Sequence, residues 1–309
     1  MIEKRKLGLS GIEVAPLCLG GNVFGWTADE AMSFALLDAF VAAGFHFVDT
    51  ADGYSNWAPG HQGGESETVI GKWMKARGTR GRVIIATKLG MWKKTAGLKA
   101  ANIISACEGS LTRLQTDYID LYQAHRDDPD TPQDETLEAL GRLVKEGKVR
   151  AIGASNFDAT RLESALKISE EGGFPRYQTL QPLYNLIDRD FENALQPLCV
   201  EEEIGVFPYY ALAAGFLTGK YRSKKDTEGK ARGSRAETYL NDKNLALLDR
   251  LEKVAKSHNA TMAEVAIAWL RDRPSIVAPL ASATNLDQLQ SLIRGASLKL
   301  TAEDIAALS

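Results

Sequence analysis

Four side chains in the 309-residue chain stand where an apolar run gives way to polar sequence, and all are of types that move or steer protons: Asp49 and Tyr54 in FVDTADGY, Lys88 in IIATKLG and His125 in LYQAHRD. A phenol alone is a weak acid near neutral pH. A lysine desolvated beside an aspartate stays charged, and that charge favours the tyrosinate, so the set predicts a lowered pKa for Tyr54 and a usable acid/base. A neutral or protonated imidazole can hydrogen-bond a carbonyl oxygen and orient it for hydride attack. Each residue also has an ordinary explanation of its own: Asp49 as a helix cap, Lys88 as a solvated strand end, Tyr54 as a packed aromatic, His125 as a satisfied core histidine. The chemical reading requires that the four meet at one mouth.

Whether they meet depends on the elements that carry them. Short β-rich runs at 45–48, 83–87, 119–124, 151–155, 177–181 and 205–209 recur about every 25 to 40 residues, the period of a strand and its helix. Further runs at 16–19 and 276–279 bring the set to about eight, and none alternates strictly, as expected of parallel strands covered on both faces. The pattern predicts an α/β fold: a single (β/α)8 TIM barrel over residues 1–309, with a short N-terminal hairpin and long loops at the C-terminal face. In such a barrel the active site lies at the carboxyl ends of the strands, where the four residues fall.

Helix ends are legible as well. Thr27 with Glu30 reads as a capping box ahead of the apolar face Met32, Leu36, Leu37, Phe40 and Val41, and Gly44 stops that helix. Pro132 and Gly147 bracket another, with Leu137, Leu140 and Val144 as its stripe. The period breaks once, between Tyr209 and Ile276. There residues 220–235, rich in Lys, Arg, Gly and Ser without an apolar stripe, read as a long loop, either a functional lid or a plain solvated connection.

The motifs LGG at 19–21, DTADGY, GESE at 64–67, ATK, HRD, GASNF, LQPLYN and GFLTGK occur in one order along the chain. With these motifs in register the chain resembles the aldo-keto reductase superfamily over nearly its whole length. The resemblance implies a tetrad of Asp49, Tyr54, Lys88 and His125, with hydride passing to or from nicotinamide and Tyr54 handling the proton. It also implies NADP(H) or NAD(H) contacts residue by residue. Gly21 and Asn22, with Asp49, lie beneath the cofactor. Ser155, Asn156 and Gln181 meet the carboxamide, and Tyr209 stacks on the nicotinamide. Leu212 and Lys220 cover the pyrophosphate, where a basic loop suits an anionic diphosphate.

Two departures bear on specificity. Where relatives carry a basic element after the last strand, this chain has Ser282, Ala283 and Thr284, and Leu292 replaces the usual Asn, although Gln288 still matches. A 2'-phosphate ordinarily calls for a charged donor such as Arg, so the NADP preference implied by the resemblance is weakened and NAD use becomes open as well. The second departure is GYSNWAPGHQGGESE, in which residues 56–63 look like an insertion beside Tyr54, with Trp57 and Pro59 either walling a pocket or sitting on a surface loop.

Composition narrows the partners. A net charge of -3 gives no basic field for nucleic acid or an anionic membrane, which leaves a small carbonyl or hydroxyl compound as the expected partner. Cys18, Cys107 and Cys199 form neither a disulfide framework nor a zinc pattern, and the chain opens without an apolar leader, so a reducing cytoplasm is expected. His61 and Glu65 have a helical metal-ligand spacing but lack a third ligand, so no metal is expected. There is no GxGxxG, Walker, GxSxG or HExxH motif. Besides a carbonyl oxidoreductase, two alternatives stay open: a cofactor-binding regulatory or redox-sensing subunit of a larger complex, and an aldolase using Lys88 as a Schiff-base nucleophile, which leaves Tyr54 and Asp49 without a task. Substrate, reaction direction and oligomeric state are not legible.

Overall fold

In the computed structural model, which describes residues 2–308, β1 (Arg5–Lys6) and β2 (Glu13–Val14) form an antiparallel hairpin. An eight-stranded parallel sheet follows, made of β3 (Cys18–Gly20), β4 (Phe47–Asp49), β5 (Ile84–Leu89), β6 (Ile119–Ala124), β7 (Val149–Ser155), β8 (Tyr177–Gln181), β9 (Gly205–Val206) and β10 (Leu280–Ala281). Each strand from β3 to β8 pairs with its successor, and β10 pairs with β3. The last seam closes through Val206, whose N–H donates to Ser275 O at 2.9 Å and whose carbonyl accepts from Val277 N at 2.7 Å. The sheet is therefore a barrel, as its periodicity predicts.

At that seam the regular strands are shorter than the apolar runs at 205–209 and 276–279, for a chemical reason. Pro208 and Pro279 have no N–H for a ladder. Their carbonyls still pair, Pro208 O with Leu280 N at 3.1 Å and Pro279 O with Cys18 N at 3.0 Å.

The helices α1 (Glu30–Ala42), α2 (Glu65–Arg77), α3 (Ala100–Leu114), α4 (Gln133–Lys145), α5 (Ala159–Gly172) and α6 (Leu195–Glu201) alternate with the strands. Their apolar faces meet the outer face of the sheet in one core that includes Phe40, Val48, Trp73, Ile85, Tyr122, Leu140 and Leu162. In α4, Leu137 and Leu140 are buried as the stripe predicts, and Leu143 is buried alongside a partly covered Val144. Inside the barrel, Cys18, Phe47, Ala86, Leu121, Phe207 and Ala278 pack against Leu7, Ile12 and Val14 of the hairpin. The hairpin thus plugs the amino-terminal end and leaves the carboxyl end of the strands as the open one.

Two local expectations are corrected. Thr27 does not cap α1. Asp29 does, its carboxylate accepting from Met32 N at 2.8 Å, because Ala28 is held in a tight turn by Val23 O and Gly25 N and the helix cannot begin earlier. Thr27 is left to line the cleft. The segment 220–235 is also not a plain loop, since it contains α7 (Lys224–Thr227) and the start of α8 (Gly233–Glu237). Local bonds replace the missing apolar stripe: Asp226 accepts from Ser223 N at 2.8 Å and from Arg222 N at 3.0 Å, closing a capping box.

The chain ends through α9 (Asp242–Ser257), α10 (Met262–Arg271), α11 (Leu286–Ser297), which follows β10, and α12 (Ala302–Leu308). Among the described residues no helix is long and apolar enough to cross a membrane.

Candidate active site

Every barrel strand delivers a residue to the open end. Gly20 ends β3, Asp49 ends β4, Lys88 is the penultimate residue of β5, His125 follows β6, Ser155 ends β7, Gln181 ends β8, Tyr209 lies beyond β9 and Ser282 follows β10. Parallel register sets them side by side: Gly20 pairs with Asp49, Lys88 with Gln123, and Ser155 with Gln181. Above them opens a cleft of about 1210 Å³.

At its floor Lys88 and Asp49 are fully buried and joined at 2.6 Å. The Lys88 ammonium spends its other two protons on Thr50 O at 2.7 Å and the Tyr54 hydroxyl at 2.8 Å. Burial lowers the lysine pKa while Asp49 pulls it back, and three acceptors around Nζ keep the ammonium form. The other carboxylate oxygen of Asp49 accepts from Gln181 Nε2 at 2.9 Å and Gln123 Nε2 at 3.4 Å. Tyr54 donates back to Asp49 over a long 3.3 Å.

The expected lowering of the tyrosine pKa is corrected by this arrangement. Burial and the Asp49 carboxylate, which also accepts the phenolic proton, hold Tyr54 well above the ordinary value, so the resting hydroxyl keeps its proton. Burial, with the charges of Lys88 and Arg126, holds His125 well below its ordinary value, which decides between the neutral and protonated forms in favour of the neutral imidazole. Its Nδ1 is buried without a partner among the described residues, leaving Nε2 as the nitrogen that can meet a ligand. The Tyr54 and His125 rings lie 6.0 Å apart, edge to face.

The sequence-predicted residues divide between the wall and the layer behind it. Asp49, Tyr54, His125, Asn22, Ser155, Asn156, Gln181, Tyr209, Leu212, Lys220, Ser282, Thr284 and Gln288 all line the cleft. Lys88 acts from behind Tyr54. Gly21 lies beneath the floor, where a Cβ would meet Ser66 Oγ at 2.8 Å. Trp57 lines the cleft, whereas Pro59 is exposed outside it. Arg222 is turned away onto Asp249 at 2.6 Å and Glu252 at 3.1 Å. Glu65 is occupied by the backbone N–H groups of Gln62 and Gly63, not by His61.

The polar wall is already a network. Ser155 Oγ donates to Gln181 O at 2.8 Å, Asn156 Nδ2 donates to His125 O at 2.8 Å, and the Tyr209 hydroxyl donates to Asn156 Oδ1 at 2.8 Å. Farther along, Asn22 Oδ1 accepts from Ser282 Oγ at 2.7 Å and Arg232 Nη2 at 3.2 Å. Arg232 and Lys230 line the cleft with Lys220 and were missed as site residues. The signal was present in KARGSR, three cations with no acid among them, although their inward direction depends on the fold of α8.

Among the described residues no carboxylate pairs with Lys220, Lys230 or Arg232, and burial together with mutual repulsion lowers the pKa of Lys220. Gly215, at φ +91°, stands where a Cβ would come within 3.2 Å of Lys220 Nζ, so its lack of a side chain gives that ammonium room. Uncompensated cations in a long cleft fit an extended ligand bearing an anionic group such as a diphosphate.

The sequence model of the Aldo/keto reductase family matches residues 16–309. The chain belongs to this family. It is an NAD(P)-dependent oxidoreductase of the carbonyl-reducing kind. This aldo/keto reductase is 34% identical to an uncharacterized oxidoreductase, YrpG, of Bacillus subtilis (strain 168), over 100% of its own chain and 95% of that protein. It is 33% identical to the aldo-keto reductase YhdN of the same organism, over 98% of its own chain and 91% of that protein. With versiconal hemiacetal acetate reductase of Aspergillus parasiticus it shares 30% identity over 99% and 96% of the two chains.

Proposed function

We propose that this single-domain enzyme reduces aldehydes or ketones, or runs the reverse oxidation of an alcohol or sugar lactol, with Tyr54 as the general acid/base. The observation that carries the reading is the Tyr54 hydroxyl at the cleft floor, donated to by Lys88 at 2.8 Å and bound only loosely to Asp49 at 3.3 Å. A donor bond that long is weak, so a carbonyl oxygen arriving beside His125 redirects the phenolic proton at small cost. The proton passes from Tyr54 to the carbonyl oxygen, and the tyrosinate left behind is stabilised by the Lys88 ammonium. Neutral His125 donates its remaining N–H to the same oxygen and polarises it.

Bound in this cleft, a reduced nicotinamide supplies the hydride for the carbonyl carbon. Ser155, Asn156 and Gln181 are the residues that would hold its carboxamide, with Tyr209 against the ring. Gly21 and Asn22 would lie beneath the cofactor, Leu212 and Lys220 would cover the diphosphate, and Ser282, Thr284 and Gln288 would meet the adenosine end. At that end Thr284 Oγ1 sits 3.1 Å from Gln288 Oε1, Arg294 is bound to Glu264 at 2.7 Å, and the carboxylate of Asp287 lines the same cleft. This set supports weak discrimination between NADPH and NADH.

The test is oxidation of each reduced cofactor with a panel of aldehydes and ketones, followed by nicotinamide absorbance. Carbonyl-dependent turnover is the expected result. Binding of cofactor without turnover of any carbonyl would overturn the reading and favour a regulatory, cofactor-sensing role.

A further inference from the structure

Resting on the carbonyl-reductase reading above, the structure also says something about what the cleft accepts. We propose that Trp57, with Met91, is the specificity-determining contact of this enzyme and takes the planar aromatic body of an aryl or conjugated carbonyl substrate. Most large apolar side chains here are buried, yet Trp57 is 49% and Met91 44% exposed, and both line the catalytic cleft. An exposed apolar patch beside the reacting group signals a binding surface more strongly than scattered surface residues do.

The Trp57 ring is held in place rather than loosely attached. Its centroid lies 5.9 Å from that of Tyr54 and 5.6 Å from that of Trp26, both edge to face. The segment 56–63 that carries it is fastened at both ends. Successive turn bonds run from Asn56 N to Gly53 O, Ala58 N to Ser55 O and His61 N to Ala58 O, at 3.2, 3.0 and 3.1 Å. At the far end Glu65 accepts from Gln62 N at 2.7 Å and Gly63 N at 2.9 Å, and Trp92 Nε1 donates to Gln62 O at 3.0 Å. Gly63, at φ +95°, leaves space for that indole, since a Cβ there would meet Trp92 Nε1 at 2.6 Å.

Ser55 adds a second observation. It is a buried serine held at φ 75°, a conformation that favours glycine, directly after Tyr54. That turn brings Trp57 back onto the cleft beside the phenol. A strained, anchored segment that presents a bare indole next to the proton donor is preorganised to stack a flat ligand. Aromatic rings prefer such offset or edge contacts, and Met91 adds a soft apolar surface to the same cleft.

The experiment compares kcat/KM for 2-naphthaldehyde and propanal in the parent, Trp57→Ala and Trp57→Phe. The naphthaldehyde-to-propanal ratio is expected to fall about tenfold or more in Trp57→Ala, through KM, and to recover in Trp57→Phe. An unchanged ratio in Trp57→Ala would overturn the proposal. Calorimetric binding of 2-naphthamide to the cofactor-loaded protein tests the same contact without turnover: a Kd about tenfold weaker in Trp57→Ala supports it, and an equal Kd sinks it. Failure of the carbonyl-reductase reading would show separately, as absence of turnover with both aldehydes in the parent.

Discussion

The Lys88 ammonium lies 2.8 Å from the Tyr54 hydroxyl and 2.6 Å from the Asp49 carboxylate, so one buried cation serves a proton donor and a structural anion together. The two tasks can be separated by substitution, because loss of the phenolic oxygen touches only the first.

Tyr54→Phe removes the hydroxyl and leaves the ring packed against Trp57 and His125. Cofactor affinity is expected to be unchanged within a few-fold, while kcat falls by about 10²-fold or more, the usual worth of a positioned acid. Steady-state kinetics with fluorescence titration of reduced cofactor checks both. Retention of activity within tenfold would remove Tyr54 from the proposed role.

Lys88→Met costs more than the acid. It strands a carboxylate with only Gln181, Gln123 and the long Tyr54 bond as donors, and removing one partner of a buried pair destabilises by about 3–5 kcal/mol. The double variant Asp49→Asn, Lys88→Met should regain much of that stability without regaining activity. Denaturant melts and kinetics on the single and double variants give the result. A double variant as unstable as Lys88→Met would show that the pair is not the source of the loss.

The pH dependence of reduction follows from two opposed shifts. His125, held well below 6.5, stays neutral through the physiological range, and Tyr54, held well above 10.0, keeps its proton. The kcat/KM profile is therefore expected to run level from about pH 6 to pH 9, with neither a histidine limb nor an early loss of the acid. A limb near the ordinary histidine value would contradict the neutral imidazole.

The barrel was legible because its period is set by backbone geometry: a buried parallel strand needs an apolar run and its helix needs a stripe, whatever the chemistry above. The four polar residues were legible because parallel register puts strand ends together. What stayed hidden depends on contacts between distant segments. Tyr54 was expected to be acidified by Lys88, but no sequence pattern shows that the phenolic proton is accepted by Asp49. Arg232 reaches Asn22 only because a short helix turns it inward, and Thr27 lost its capping role to Asp29 by a tight turn two residues long.

Asp52 carries a separate liability. Its carboxyl is fully buried, Oδ1 has no partner among the described residues, and Thr95 Oγ1 offers Oδ2 a bond of 3.3 Å. Burial, reinforced by Glu67, pushes its pKa up to about 7, so the native state holds a proton that the unfolded chain has released above the ordinary value of 3.8. Stability therefore falls as pH rises through that window. Asp52→Asn, neutral and of equal size, is expected to stabilise by about 1 to 3 kcal/mol at pH 8 and by clearly less at pH 5. Melts at the two pH values decide it, and a gain independent of pH would show that the carboxylate is not the cause.

The cofactor prediction rests on Thr284, which occupies the position where the family resemblance leads one to expect a basic side chain. Its backbone N–H and hydroxyl both point to Gln288 Oε1, at 2.9 and 3.1 Å, and can hydrogen-bond either cofactor without charge. Arg294 is already paired with Glu264, and Arg222 is turned away onto Asp249 and Glu252, so the charge of each is compensated before a 2'-phosphate arrives. Dissociation constants for NADPH and NADH are therefore expected to differ by less than about a hundredfold, near the worth of one or two charge-assisted bonds. Thr284→Arg places a guanidinium at the mouth of the cleft while the backbone bond to Gln288 survives, and should tighten NADPH selectively. Fluorescence titration of both proteins with both reduced cofactors decides the matter. Strong parental selectivity for NADPH, untouched by Thr284→Arg, would mean that the cations on the opposite wall, Lys230 and Arg232 first among them, read the phosphate instead.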